Sequence, residues 1–193
     1  MVGPLLVLSA YLAGSVCFGI VVARSRGVDL REVGSGNVGA TNVSRALGKN
    51  AGRAVLFLDG LKGLVPVLVA RFAVSTDRDL WIAVVGVAAV LGHVLPVWHG
   101  FRGGKGAATA VGVLLGAQPL AGLGAAISFA VLKVASKRAS VGSLGACLVG
   151  VAITAVLGQA SWLTAMAIAI SVVVFIRHAD NLRRLVRGEE PPS

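Results

Sequence analysis

Charged residues are scarce in this sequence, and so are aromatic residues, cysteine and histidine. Asp and Glu together number eight, aromatics make up 5%, and there are two cysteines and three histidines. A charged share of 13% is about half that of an ordinary globular domain and argues against a soluble one. Cys17 and Cys147 lie inside apolar runs without basic neighbours. Such cysteines behave as small hydrophobes, which excludes a disulfide scaffold and a thiol nucleophile. There is no metal-ligand cluster and no nucleotide motif, so no metal and no cofactor are expected.

What the chain has instead is apolar residues, 56% of the total, together with abundant glycine and alanine. Small residues let helices approach closely in lipid, where packing replaces the hydrophobic effect as the driving force. The reading is an integral membrane protein. The net charge of +10 does not indicate nucleic acid, because the basic residues sit in short segments between long apolar runs. That pattern belongs to membrane topology. Met1–Ala23 lacks a charge ahead of its apolar core and is long enough to span, so it is read as a retained helix rather than a signal peptide.

A spanning helix needs about 20 apolar residues. Val2–Ala23, Ala54–Val74 and Trp81–Trp98 supply the first three. The uncharged stretch between Lys105 and Lys133 is over-long for one helix, and Gln118-Pro119 is the expected break, giving Ala107–Ala117 and Leu120–Leu132. Ala139–Ile176, also uncharged, divides at Gly158-Gln159-Ala160-Ser161. The fold class is therefore all-α, a single polytopic domain over 1–193 with seven transmembrane helices. All lysines and arginines except Lys62, Arg71 and Arg78 then fall on one side, with Lys62 close to it. The positive-inside rule makes that side cytoplasmic, with the N-terminus outside and the C-terminus inside.

Four polar segments converge on the cytoplasmic face: Arg24–Arg53, Trp98–Gly106, Ser136–Ser143, and Arg177 to the end. The first runs Gly34-Ser35-Gly36-Asn37-Val38-Gly39-Ala40-Thr41-Asn42 and on to Arg45 and Lys49. Its glycines let backbone amides approach an anion; Ser35, Asn37, Thr41 and Asn42 add neutral hydrogen bonds; Arg45 and Lys49 add charge. A plain turn-rich polar loop has the same composition. The second, His99 to Thr109, places Arg102, Gly103, Gly104, Lys105 and Gly106 before a helix start, where free amides point at an incoming phosphate. The spacing of a P-loop is absent, which excludes an NTPase. Asp59 and Lys62, one turn apart, read as an intrahelical support pair, and His93 as a hydrogen-bonded packing residue. In the last segment His178 and Asn181 stand three residues apart among arginines.

Gly34–Lys49, Asp59–Gly63, Gly92–Pro96 leading into Phe101–Thr109, Ser140–Leu144, and Arg177-His178 with Asn181 together resemble the bacterial acyl-phosphate:glycerol-3-phosphate acyltransferase family, in the family's order across nearly the whole chain. The resemblance implies transfer of an acyl chain from acyl phosphate to glycerol 3-phosphate in the bacterial cytoplasmic membrane. The products would be lysophosphatidic acid and inorganic phosphate. It implies Ser35, Arg45, Lys105, His178 and Asn181 as catalytic residues. Gly36, Asn37, Thr41, Asn42, Gly103, Gly104, Gly106 and Thr109 would bind substrate. Ala179 and the ending Arg187-Gly188-Glu189-Glu190 depart slightly from the family pattern. With no Asp or Glu well placed, a substrate phosphate oxygen is the expected proton acceptor. The alternative from another class is a small transporter for an anionic solute, suited by Asp59, Lys62 and the Gly/Pro interruptions. A histidine–aspartate acyltransferase is disfavoured, because none of His93, His99 or His178 is followed by an aspartate across a four-residue gap.

Overall fold

The computed structural model describes residues 2–157 and 161–193, and within them the chain is helical with short connections. The first apolar run forms α1 (Val2–Gly14) and α2 (Phe18–Arg24), interrupted at Ser15–Cys17. The break frees the carbonyl of Val16, which accepts a hydrogen bond from Lys62 Nζ at 2.7 Å. A short helix, α3 (Ala40–Leu47), follows the glycine-rich loop, and Gly48 at φ 90° turns the chain directly into α4 (Lys49–Ala73). Then come α5 (Arg78–Val94), a 3-10 turn at Val97–His99, α6 (Ala107–Ala117) and α7 (Pro119–Ser136). The chain ends with α8 (Ala139–Val156), α9 (Ser161–Arg177) and α10 (Ala179–Val186).

The break expected at Gln118-Pro119 is present: Gln118 sits between α6 and α7, and Pro119 opens α7, where its missing N–H costs nothing. The division expected at Gly158–Ser161 falls on residues 158–160, which lie outside the described residues. Helices occur at all seven expected positions, and length and composition by themselves identify fewer of them as spans. Among the described residues four segments are long and apolar enough to cross: Val2–Arg24, Arg78–His99, Pro119–Ser136 and Ala139–Val156. A fifth results if α9 and α10, bent by 62°, act as one broken span. The 25-residue α4 is long enough but carries Lys49, Arg53, Asp59, Lys62 and Arg71. The 11-residue α6 is short, about 16 Å at about 1.5 Å per residue.

Glycine sets how closely α4 and α6 pack. A Cβ on Gly112 would come within 2.0 Å of the Gly60 carbonyl oxygen, and one on Gly63 within 2.2 Å of the Thr109 carbonyl oxygen. Thr109, expected to bind substrate, is fully buried at this crossing. The main apolar core joins α1 and all of α4 to α9 around Val67, Val85, Val90, Val113 and Ile170. On the other side of α6, α7 packs along α8 and is mostly exposed to the surroundings, as a lipid-facing helix is.

Candidate active site

A cavity of about 1000 Å³ opens between α3, α4, α6, α7, α8, α9 and the C-terminal tail. One end is polar and the other apolar. Leu61, Leu64, Val111, Leu115 and Phe129 line the apolar end, and Leu56 and Phe57 line it while remaining exposed at the surface of α4. The cavity is thus a slot between helices, bordered at the outer face of α4 by Leu56 and Phe57.

Asn42, buried in α3, organises the first polar loop. Its Oδ1 accepts the Ser35 N–H at 3.0 Å, and its Nδ2 donates to the carbonyls of Leu30 at 3.2 Å and Val33 at 2.9 Å. Asn37 Oδ1 accepts the Gly39 N–H at 2.8 Å. Gly34 and Gly36 take positive φ, 60° and 67°, which this tight loop requires. A Cβ on Gly34 would also collide with Asn42 Oδ1. One turn after Asn42, Arg45 donates from Nη2 to the Pro192 carbonyl of the C-terminal tail at 2.7 Å.

The second loop is pinned from two sides. The N–H groups of Gly103 and Gly104 donate to the carbonyls of Val94 and His93, each at 3.1 Å. Their own carbonyls accept from Arg177, Gly103 from Nη2 and Gly104 from Nε, each at 3.2 Å. Lys105 follows, and its ammonium donates to Asn181 Oδ1. Burial lowers the Lys105 pKa from the ordinary lysine value; Glu190 opposes that shift, while Arg184 and Arg177 add to it. His178 is the residue before α10, at the bend from α9. Its Nδ1 lies 2.8 Å from the Val174 carbonyl, so Nδ1 carries the hydrogen and Nε2 is left as an acceptor.

The carboxylate of Glu190 completes the polar end. Oε1 accepts from Ser140 Oγ at 2.8 Å and from Asn181 Nδ2 at 2.6 Å, and Oε2 accepts from Arg184 Nε at 2.7 Å. Burial raises its pKa, but the hydrogen bonds from Asn181, Arg184 and Ser140 outweigh burial and hold it below the ordinary carboxylate value. Deeper in, Asp59 and His93 line the cavity. Asp59 Oδ1 is 2.9 Å from Lys62 Nζ and 3.7 Å from His93 Nδ1, all three residues being buried.

Of the expected site residues, Ser35, Asn37, Thr41, Asn42, Arg45, Lys105, Gly106, His178 and Asn181 line this one cavity. Gly36, Gly103, Gly104 and Thr109 do not line it. Gly36 lies beneath the Arg31 carbonyl, Gly103 and Gly104 spend their amides on α5, and Thr109 packs against Gly63. Glu190 was missed: in Gly188-Glu189-Glu190-Pro191-Pro192 it reads as part of a variant ending, yet it is buried and lines the cavity. Arg184 read only as a basic tail residue. Ser140 had a signal, since it begins one of the matched segments.

The model of a family described as glycerol-3-phosphate acyltransferase matches residues 4–188. A glycerol-3-phosphate acyltransferase of Anaeromyxobacter sp. (strain K) is 47% identical over 194 residues, covering 98% of this chain and 96% of that one. One of Aquifex aeolicus is 45% identical over 186 residues, covering 96% of each. The crystal structure of PlsY, an integral membrane glycerol 3-phosphate acyltransferase, in its glycerol 3-phosphate form superposes with a TM-score of 0.95 at 41% identity. It covers 100% of this chain and 96% of its own. The lysophosphatidic acid form gives 0.93 at 40% identity, covering 100% and 95%.

Proposed function

Because the chain belongs to the glycerol-3-phosphate acyltransferase family, we propose that its donor is acyl phosphate and that the glycerol 3-phosphate hydroxyl attacks the acyl carbonyl directly. The protein is an integral membrane acyltransferase that makes lysophosphatidic acid from glycerol 3-phosphate. The donor reading rests on one observation: two cationic, glycine-flanked segments, carrying Arg45 and Lys105, line the same cavity as a large apolar surface that includes Leu61, Leu64, Val111, Leu115 and Phe129. Two phosphate-bearing substrates, one with a long tail, match that division.

Arg45 and Lys105 hold the phosphates, and Ser35, His178 and Asn181 orient the hydroxyl or the acyl carbonyl. As the new C–O bond to glycerol forms, the acyl C–O bond to phosphate breaks and inorganic phosphate departs. The leaving group is already good, so positioning and charge neutralisation carry the catalysis and no covalent enzyme intermediate is needed. The hydroxyl proton passes to an oxygen of a substrate phosphate. Glu190 lies in the cavity but is a poor base there, because three hydrogen bonds hold its carboxylate in the charged form.

The reaction takes place at the cytoplasmic face of a bacterial membrane, in a single domain of seven spans with the N-terminus outside. Of those spans, α4, the short α6, and α9 with α10 are the three that need shelter from their neighbours. The placement of nearly all lysines and arginines between spans on one side supports this orientation.

The test compares palmitoyl phosphate with palmitoyl-CoA on purified protein in lipid. The expected result is release of inorganic phosphate from palmitoyl phosphate only when glycerol 3-phosphate is present. Turnover with palmitoyl-CoA alone overturns the donor assignment. Labelling of Ser35→Cys and Lys105→Cys from opposite sides of the membrane overturns the shared site.

A further inference from the structure

We propose that Asp59, Lys62 and His93 form a buried buttress that fixes the glycine loop from below, making His93 a positioning residue for Lys105. This deepens the reading above, in which Lys105 holds a substrate phosphate.

Three ionisable side chains buried on two adjacent helices need a reason, since apolar residues would join α4 to α5 without desolvating any charge. Here the three stand in a row that ends at the loop. Lys62 donates to the Val16 carbonyl left free by the break between α1 and α2, at 2.7 Å, and pairs with Asp59 at 2.9 Å. The lysine is therefore anchored at its far side. Asp59 Oδ1 faces His93 Nδ1 at 3.7 Å, beyond hydrogen-bond length, so the carboxylate acts on the ring through its charge rather than through a hydrogen bond. The opposite edge of that ring lies against Gly104: a Cβ placed there would come within 2.2 Å of His93 Nε2.

The backbone repeats the arrangement. The His93 carbonyl accepts the Gly104 N–H, and the Val94 carbonyl accepts the Gly103 N–H. From α9, Arg177 grips the carbonyls of the same two glycines. The peptide between Gly103 and Gly104 is clamped between the imidazole and a guanidinium, and Lys105 is the next residue. Glycine is what allows the ring so close, so the loop's flexibility is removed by contact rather than by its own chemistry. Truncating the imidazole opens a void beneath the loop and frees the lysine from its contact with Asn181.

A double-mutant cycle separates this role from general support. kcat/KM is measured with acyl phosphate and glycerol 3-phosphate for wild type, His93→Ala, Lys105→Ala and the double variant, each checked for a single folded species in detergent. His93→Ala is expected to lose activity on the order of 10–100-fold in the wild-type background, the size of a small misplacement. It is expected to lose less than about threefold in the Lys105→Ala background, because the group it positions is gone. His93→Gln, which keeps a polar end against Asp59, recovers part of the loss. The same factor in both backgrounds, or a fully active His93→Ala, overturns the proposal. If His93→Ala does not fold, Asp59→Asn and His93→Gln carry the same cycle. Full activity in Lys105→Ala instead overturns the phosphate-holding reading itself, so the two failures are distinguishable.

Discussion

Replacing Glu190 by alanine tests whether the C-terminal tail is part of the site. The substitution removes the acceptor for Ser140 Oγ and Asn181 Nδ2, whose residues are only 5% and 6% exposed, and for the half-exposed Arg184. A buried donor left without a partner costs about 1–3 kcal/mol, while the Arg184 contact, screened by solvent, adds at most about 1 kcal/mol. The sum over both donors and the arginine is roughly 2–7 kcal/mol. At about 2–4 °C per kcal/mol for a chain of this size, melting should fall by at least about 4 °C, and by about 13 °C at mid-range. Glu190→Gln keeps Oε1 for Ser140 and Asn181 but turns an amide toward Arg184, so it should cost only about 1 kcal/mol. Intrinsic tryptophan fluorescence on heating in detergent reads both. A Glu190→Ala melt within about 2 °C of wild type refutes the reasoning. So does Glu190→Gln matching Glu190→Ala, because acceptor geometry would then not be what holds the tail.

Three further outcomes follow from the same structure. The Glu190 carboxylate has a folded pKa below its unfolded one, so its stabilisation is fully present above the unfolded value and is lost as pH falls through the folded one. Wild type should lose melting temperature in that acidic window, and Glu190→Gln should lose less. Burial lowers the Lys105 pKa, so kcat/KM should fall on the alkaline side at a pH below that of an ordinary lysine. Lys105→Arg should move that limb upward in a pH–rate profile. Gly112→Ala, whose Cβ would meet the Gly60 carbonyl at 2.0 Å, should force α4 and α6 apart and cost about 1–3 kcal/mol. Gly60→Ala, with its nearest neighbour at 3.9 Å, should melt close to wild type.

Helix positions were readable because apolar runs and charge placement carry them, and Pro119 carries the break before α7. The interruption of the first span was not readable: Ser15-Val16-Cys17 contains no charge and no proline. What sustains it is Lys62, a residue from another helix. Residues 40–47 read as a loop because Thr41, Asn42 and Ser44 favour turns, yet Gly39 starts a helix there whose Val43 is buried. Arg45, Lys105, His178 and Asn181 were legible as cations and polar groups in a matching order. Glu190 was not, because a carboxylate near the end of a chain looks solvated until the fold brings Ser140 and Asn181 to it. The burial of Thr109 at the α4–α6 crossing was not legible, since a hydroxyl beside a glycine loop and one at a helix crossing look alike in sequence.

The shortness of α6 has a bearing on how the acyl donor survives. A helix of about 16 Å cannot reach across a hydrocarbon layer of about 30 Å, so as one of the proposed spans α6 would leave the peptide groups of at least one end within that layer. At the far end Arg71 satisfies two of them, donating to the carbonyls of Gly116 and Ala117. At the near end lies the loop carrying Lys105. Under the reaction proposed above, a mixed anhydride held in the slot beside this loop would be attacked by the alcohol bound there rather than by bulk water. Each ammonium–phosphate contact also strengthens as the local dielectric constant falls.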